Sequence, residues 1–141
     1  MERLALLAAA AALLLLAVAA ARMVARRRTA RAASAPTGQL WGALGAEPDG
    51  RSTVVAFSTP SCAECRTQAA ILDPLVHAGV RVLPVDAAQH PQVARAFGVL
   101  TVPSTAVLEA GGALVAVNHG LADAARLREQ LARSPSATAV R

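Results

Sequence analysis

The stretch FSTPSCAECR, residues 57–66, decides how this chain folds, because in it an apolar segment runs directly into a pair of cysteines. Residues 53–58 (TVVAFS) are mostly apolar or β-branched, which is typical of a strand buried on both faces. Between Cys65 and Gly79 the apolar side chains recur at the spacing of a helix, and glycine is a common helix end. The cysteine pair therefore lies where a buried strand gives way to a helix.

Cys62 and Cys65 are the only cysteines of the chain. A disulfide across only two residues closes too short a loop to stabilise the fold, so the spacing indicates redox or metal chemistry. The histidines, His77, His90 and His119, are too scattered to complete a four-ligand zinc site, and we expect no metal. A thiolate in the first turn of a helix is stabilised by free N–H groups and by the helix dipole. Cys62 is thus the expected nucleophile, and Cys65 the expected resolving thiol.

The rest of the domain alternates between strand-like and helix-like segments. Two glycines at 111–112 indicate the turn of a hairpin. The predicted segments are a helical turn at 40–44, strands at 53–58, 80–85, 104–108 and 113–117, a loop with a short helix at 86–98, and a terminal helix at 121–133. With the helix after the cysteines, the order β-α-β-α-β-β-α predicts an α/β fold, a mixed β-sheet flanked by helices.

Four landmarks within residues 53–133 resemble the thioredoxin family, and they follow the family's order. They are FSTPSCAEC at 57–65, Val85-Asp86, GVLTVPST at 98–105 and Asn118-His119-Gly120. The resemblance implies a thioredoxin-like fold and an enzyme, a thiol–disulfide oxidoreductase. It implies no cofactor beyond a redox-active disulfide between Cys62 and Cys65.

The resemblance also assigns the substrate-binding residues around the cysteines. It implies that the peptide bond before Pro103 is cis and that Pro103 faces the cysteine pair. A cis X–Pro bond is rare, and where it occurs it is a specific feature of the fold. It further implies that Val102 offers its backbone to an extended substrate. Ser61 and Gly120 are expected to border the same surface.

The chain departs from the family's pattern at several positions near the cysteines. Ser61 stands where the family usually has tryptophan, and Ala56 and Val82 stand where thioredoxins place a buried acid and its lysine partner. The dipeptide between the cysteines is Ala63-Glu64, and both residues are expected to tune the redox pair. A carboxylate near Cys62 disfavours its thiolate, which should make the dithiol more reducing.

The net charge of +5 resides outside the predicted domain. Residues 1–39 contain six Arg and one acidic residue, a charge of +5, whereas residues 40–141 contain eight Arg and eight acidic residues, a charge of zero. A nucleic-acid-binding domain carries a basic surface, so we expect no nucleic-acid partner. The absence of Lys beside so many Ala suggests a GC-rich bacterial coding sequence.

The segment from Leu4 to Ala21 is an uninterrupted apolar run of ten Ala, seven Leu and one Val. As a helix it would extend about 27 Å, close to the ~30 Å hydrocarbon core of a bilayer, which predicts one transmembrane anchor within residues 1–25. The alternative is a cleaved signal peptide ending near Ala19 or Ala21. The arginines after the run predict a single-pass protein of the cell membrane with a cytoplasmic domain, and an extracytoplasmic domain is the alternative.

Composition sets the remaining boundaries. Residues 26–38 (RRRTARAASAPTG) consist of arginines and small residues and show no apolar periodicity, which predicts a linker. Residues 39–133 form the predicted thioredoxin-like domain, and residues 134–141 a predicted disordered tail.

The leading functional hypothesis is a membrane-tethered dithiol reductase, monomeric and held by residues 4–21. Its expected partners are disulfide-bearing proteins and an electron-donating reductase or membrane redox partner. One alternative is an exported oxidoreductase for cytochrome c maturation or secreted-protein folding. The other is a redox-inactive interaction module with the same fold, because fold alone does not fix function.

Overall fold

The computed structural model describes residues 2–33 and 37–133. Within them five helices and four strands follow one another. They are α1 (Glu2–Ala33), α2 (Thr37–Leu44), β1 (Thr53–Ser58), α3 (Ala63–His77), β2 (Arg81–Asp86), α4 (Pro91–Ala96), β3 (Ser104–Leu108), β4 (Leu114–His119) and α5 (Ala124–Ala132).

The four strands form one mixed sheet in the order β2-β1-β3-β4. β1 pairs in parallel with β2, whereas β1 with β3 and β3 with β4 are antiparallel. The parallel pair requires a crossover connection, and α3 supplies it. The predicted mixed sheet is therefore confirmed, and the strand that leads into the cysteines lies inside it.

Two apolar layers pack on opposite faces of the sheet because neighbouring residues of a strand point to opposite sides. Val54 of β1 and Val107 of β3 face Leu72 of α3 and Leu127 of α5. The other face packs against α2 and α4 through a second group of buried side chains: Leu40, Trp41, Val55, Phe57, Val93, Phe97 and Leu108. Helices thus cover both faces of β1.

Helix α2 is fixed to the domain by Trp41, which is buried. The indole Nε1 donates a hydrogen bond of 2.8 Å to the carbonyl oxygen of Gly112. The Arg81 guanidinium lies 5.9 Å from the ring centroid, within the range of a cation–π contact. Gly112 has a φ of 94°, and a Cβ there would lie 2.8 Å from the indole nitrogen, so the contact requires glycine.

The structure shifts several predicted boundaries by a few residues. The strands at 53–58 and 104–108 lie where they were predicted, and the fourth strand extends further, to His119. The last helix begins at Ala124, because Asp123 caps it by accepting a hydrogen bond from the Arg126 N–H at 2.8 Å.

The predicted transmembrane anchor is not found. Within residues 2–33 and 37–133, no helix combines the length and the apolar character that a membrane crossing needs. The apolar run is part of α1.

Part of the predicted linker is helical, and its role as a linker stays a prediction. α1 continues to Ala33, and α2 begins at Thr37, so much of the segment 26–38 is helical. Arginine and alanine are among the strongest helix formers, and a helix that is already formed extends easily, which explains the continuation. The predicted tail at 134–141 lies outside the described residues.

Candidate active site

Cys62 and Cys65 form a disulfide at the start of α3, with an S–S distance of 2.07 Å. Cys62 is the N-cap residue, and its Sγ accepts a hydrogen bond of 3.2 Å from the Cys65 N–H. The sulfur of Cys62 is therefore directed toward the free N–H groups of the first helical turn. Those groups stabilise a thiolate when the disulfide is reduced.

A tight turn between β1 and α3 places the disulfide at the edge of the domain. The Cys62 N–H donates a hydrogen bond of 3.1 Å to the carbonyl oxygen of Thr59, and the residues between them are exposed. β1 is buried up to Phe57, so the chain leaves the core only one or two residues before the turn. Both cysteines are half-buried as a result.

An open cavity of about 400 Å³ lies in front of the disulfide, and we call it the front cavity. Both cysteines line it, together with the hydroxyl residues Ser58, Thr59 and Ser61 and the exposed Arg66, as well as Pro60, Ala63 and Ala69. Ser61 is too small to cover the cysteines. The disulfide is therefore reachable by small solutes and by clients.

A smaller cavity of about 170 Å³ lies behind Cys65, and we call it the rear cavity. Its wall is largely apolar and includes Ala56 and Val82, the positions where thioredoxins place a buried acid and its lysine. Pro103 and Cys65 line it from the side of the active site. Asp73 is its only charged lining residue, and it is exposed on α3.

The peptide bond between Val102 and Pro103 is cis, as the resemblance implies. Pro103 is fully buried, whereas Val102 is half-buried and lines a groove of about 330 Å³. We call this groove the side groove; it also includes the exposed Leu100. Thr59 lines both the side groove and the front cavity, so the two adjoin at this residue.

The buried Gln68 ties α3 to the loop after β4. Its Nε2 donates to the Ala122 carbonyl oxygen at 3.1 Å, and its Oε1 accepts from the Ala122 N–H at 2.8 Å. Gly120, in the same loop, has a φ of 79°, a conformation that favours glycine. Cys65 precedes Gln68 by nearly one helical turn, so this pair of hydrogen bonds helps to fix the resolving cysteine relative to the loop.

Few charged groups lie close to the disulfide. Glu64 is exposed in the first turn of α3 and does not line the front or the rear cavity. The Asp86 carboxylate accepts hydrogen bonds from the N–H groups of Ala88 and Gln89, at 2.9 and 3.3 Å, which commits it to a turn. His119 is opposite Ser104 in the register of β3 and β4, and partial burial of its imidazole lowers its pKa. Burial acts in this direction because it disfavours the charged ring.

Besides the two cysteines, four of the six predicted site residues line a cavity or the side groove, and two do not. Ser61 and Ala63 line the front cavity with both cysteines, and Pro103 meets Cys65 in the rear cavity. Val102 lies in the adjoining side groove. Glu64 and Gly120 line none of the three cavities. In the part of the chain that the structure describes, no cluster of three or more His, Cys, Asp or Glu could hold a metal ion.

Several polar residues of the site were missed from the sequence. Ser58, Thr59 and Arg66 line the front cavity, and Gln68 holds the loop after β4. A signal for Gln68 was present, because it occupies the same helical stripe as the buried Leu72 and Leu75. A polar residue in an apolar stripe needs a buried hydrogen-bond partner. The other three offered no comparable signal.

Comparison with known proteins agrees with this geometry. The sequence model of the family described as thioredoxin matches residues 46–133. A mutant thioredoxin from Halobacterium salinarum NRC-1 superimposes with a TM-score of 0.57, at 23% identity over 62% of this chain and 77% of that one. No curated protein matches the chain.

Two further solved structures have the same fold. One is a malarial protein, 20% identical, with a TM-score of 0.54 over 60% of this chain and 98% of that one. The other comes from work on the thiol resolving mechanism of a yeast mitochondrial 1-Cys peroxiredoxin. It is 20% identical, with a TM-score of 0.53 over 60% of this chain and 80% of that one. At these identities the likeness shows the fold alone.

Proposed function

The chain belongs to the thioredoxin family, and we propose that it is a thiol–disulfide oxidoreductase that acts as a dithiol reductase on protein disulfides. One observation carries the proposal. Cys62 of the Cys62–Cys65 disulfide caps a helix at an open cavity, and cis Pro103 lines the rear cavity together with Cys65. This arrangement combines an accessible nucleophile with a resolving thiol in reach.

The reaction needs no group beyond the two cysteines. In the reduced protein the Cys62 thiolate attacks a client disulfide and forms a mixed disulfide, and one client sulfur leaves as a thiolate. The Cys65 thiolate then attacks Cys62 Sγ, which releases the second client sulfur. Two electrons have passed to the client, and the protein returns to the disulfide state that the structure contains.

Glu64 supports the reducing direction. Its carboxylate lies two residues after Cys62 in the sequence, and a negative charge near a thiol disfavours the thiolate. A less stable thiolate makes the dithiol a stronger reductant, since oxidants of this kind have strongly stabilised thiolates. The proposed clients are disulfide-bearing proteins whose extended segments lie along Val102 and the side groove, with Ser61 and Gly120 at the border.

Reduction of insulin by the full chain tests the activity. We expect turnover with dithiothreitol as the electron source, no turnover for Cys62→Ser, and a stable mixed disulfide for Cys65→Ser, because the second step is lost. A Ser52→Ala variant, just before the start of β1 and at the end of that strand opposite the cysteines, is the matched control. If the unaltered protein reduces no insulin and Cys65→Ser retains no mixed disulfide, the chain is not an oxidoreductase of this type.

The reduction potential of the cysteine pair tests the direction. Equilibration with glutathione places it on a scale from about −270 mV for thioredoxin to about −120 mV for a strong oxidant. We expect a value near the thioredoxin end, and a Glu64→Gln variant should move toward the oxidising end. A value near −120 mV would instead favour the exported oxidase.

The cellular location stays a prediction from the sequence. We propose that the domain lies in the cytoplasm, in agreement with a reducing function. Treatment of intact cells with an impermeant thiol reagent distinguishes the two sides. Modification of Cys62 places the domain outside, whereas its protection agrees with the cytoplasm if Cys62 reacts once the cells are permeabilised without a reductant.

A further inference from the structure

We propose that the front cavity binds a low-molecular-weight thiol that carries carboxylates, and that this thiol reduces the Cys62–Cys65 disulfide directly. The inference rests on the proposed function and names the chemical class of its electron donor. It starts from three properties of the cavity, which are its size, its access to both sulfurs and the charge of its wall.

The size suits a small molecule. Small-molecule sites in proteins usually enclose about 300–1,000 Å³, and the front cavity measures about 400 Å³. Both Cys62 and Cys65 line it, so a thiol inside the cavity lies against the bond that it has to attack. A bulky side chain at position 61 would close this approach, but Ser61 is small and exposed.

The wall suits an anion. Among the described residues, Arg66 is the one charged side chain that lines the front cavity, and it is exposed. A guanidinium binds a carboxylate through two parallel hydrogen bonds, which makes Arg a frequent partner of carboxylate ligands. The hydroxyl residues Ser58 and Thr59 line the same cavity and offer further hydrogen bonds. Glu64, the nearest acidic residue in the sequence, does not line the cavity.

The reaction balances with two molecules of the thiol. The first, as a thiolate, attacks Cys62 Sγ, so that a mixed disulfide forms and Cys65 leaves as a thiolate that takes up a proton. The second attacks the sulfur of the bound thiol and releases Cys62 as a thiolate. The products are the reduced protein and the disulfide of the small thiol, and two electrons have moved to the protein.

Rates of reduction of the full chain by matched thiols test the inference. The probes are 3-mercaptopropionate, which has a carboxylate, and 2-mercaptoethanol, which is neutral; glutathione serves as a larger carboxylate thiol. Acid quenching and alkylation give the rate constant for each probe. The ratio of the anionic to the neutral rate constant is compared among variants, so that any change in the intrinsic reactivity of the disulfide cancels.

The variants distinguish an effect of the Arg66 side chain on the ratio from an effect of the protein's net charge. We expect Arg66→Ala to lower the ratio about three-fold and Arg66→Glu about ten-fold, given the modest strength of exposed charge pairs. Arg128→Glu changes the net charge equally, but Arg128 lies on α5 and does not line the cavity, so its ratio should stay within the error of the unaltered protein. High salt should reduce the ratio of the unaltered protein, because it screens exposed charges.

Each outcome bears on one proposal. A lower ratio in both Arg66 variants, with Arg128→Glu unchanged, supports the donor site. Equal ratios in all four proteins, or an equal fall in Arg128→Glu, overturn it. The oxidoreductase function is judged separately by insulin reduction with dithiothreitol, which does not depend on a carboxylate. A flat ratio with normal insulin reduction therefore removes the donor site and leaves the function in place.

Discussion

The front and rear cavities meet at Cys65 and share Ser58, Cys65 and Ala69, yet they differ in size and in chemistry. The front cavity is wide and has hydroxyl groups and Arg66 in its wall. The rear cavity has less than half that volume, and its wall consists mostly of apolar side chains. The disulfide therefore separates a polar entrance from an apolar wall. The two cysteines therefore differ in their surroundings, since Cys62 lines only the front cavity of the two and Cys65 lines both.

The strongest test of this comparison is the reactivity of the two thiols after reduction. The Cys62 sulfur accepts a hydrogen bond from a helix N–H group and lines only the front cavity, whereas Cys65 also lines the apolar rear cavity, where a thiol is less reactive. We expect iodoacetamide at pH 7 to modify Cys62 about ten-fold faster than Cys65, or more. Peptide mapping by mass spectrometry measures both rates, and equal rates would remove the asymmetry.

Placing a charge in the rear cavity should have the next largest effect. Ala56→Asp introduces a carboxylate without a charged partner into a half-buried site, which should cost about 2 kcal/mol of unfolding free energy at pH 7. Burial raises the pKa of such a carboxyl in the folded state above that in the unfolded state. The folded state then binds more protons between the two pKa values, so the lost stability returns as the pH falls through that window.

Urea unfolding at several pH values measures this effect. Ala56→Asn is the matched control, because it has the same shape without the charge and should show no additional pH dependence. If Ala56→Asp were as stable as Ala56→Asn at pH 7, the rear cavity would be more polar than its wall indicates.

The third prediction concerns the loop that borders the site. Gln68→Met keeps the length of the side chain but removes both hydrogen bonds to Ala122, which leaves buried backbone groups without partners. We expect a loss of about 1–2 kcal/mol of unfolding free energy. Gln89→Met, on the exposed turn before α4, is the control and should be nearly neutral. Equal effects of the two changes would mean that the loop does not depend on Gln68.

The smallest expected effect involves His119 at the end of β4. Burial lowers the pKa of its imidazole in the folded state, so the unfolded state binds more protons between that pKa and the ordinary value of about 6.5. Stability therefore falls as the pH decreases through this window. His119→Gln should remove that part of the pH dependence. A proton NMR titration measures the pKa directly, and a value at or above 6.5 would contradict the prediction.

Much of the fold could be predicted from the sequence because its central strands have strong local patterns. β1 and β3 are runs of apolar and β-branched residues, and both lie where they were predicted. The helical conformation of residues 26–33 was not predicted, because their arginines and alanines favour a helix more than the lack of an apolar stripe opposes one.

The site could be predicted only in part. The cysteines and Pro103 follow from short motifs that a sequence displays directly. The two cavities depend instead on side chains from several elements, such as Val82 of β2 and Leu72 of α3, whose mutual positions are set by tertiary packing. For this reason the role of Arg66 could not be derived before the cavity was seen.

The outer edge of β2 carries a consequence for self-association. Among the described residues no strand pairs with that edge, and an unpaired edge is a template for sheet growth between molecules. Pro84 lies in the middle of β2 and is exposed, so the ladder lacks one N–H at its centre. A second molecule that paired its own strand with this edge would lack one hydrogen bond and would contact the pyrrolidine ring of Pro84. The proline thus protects this edge from aggregation.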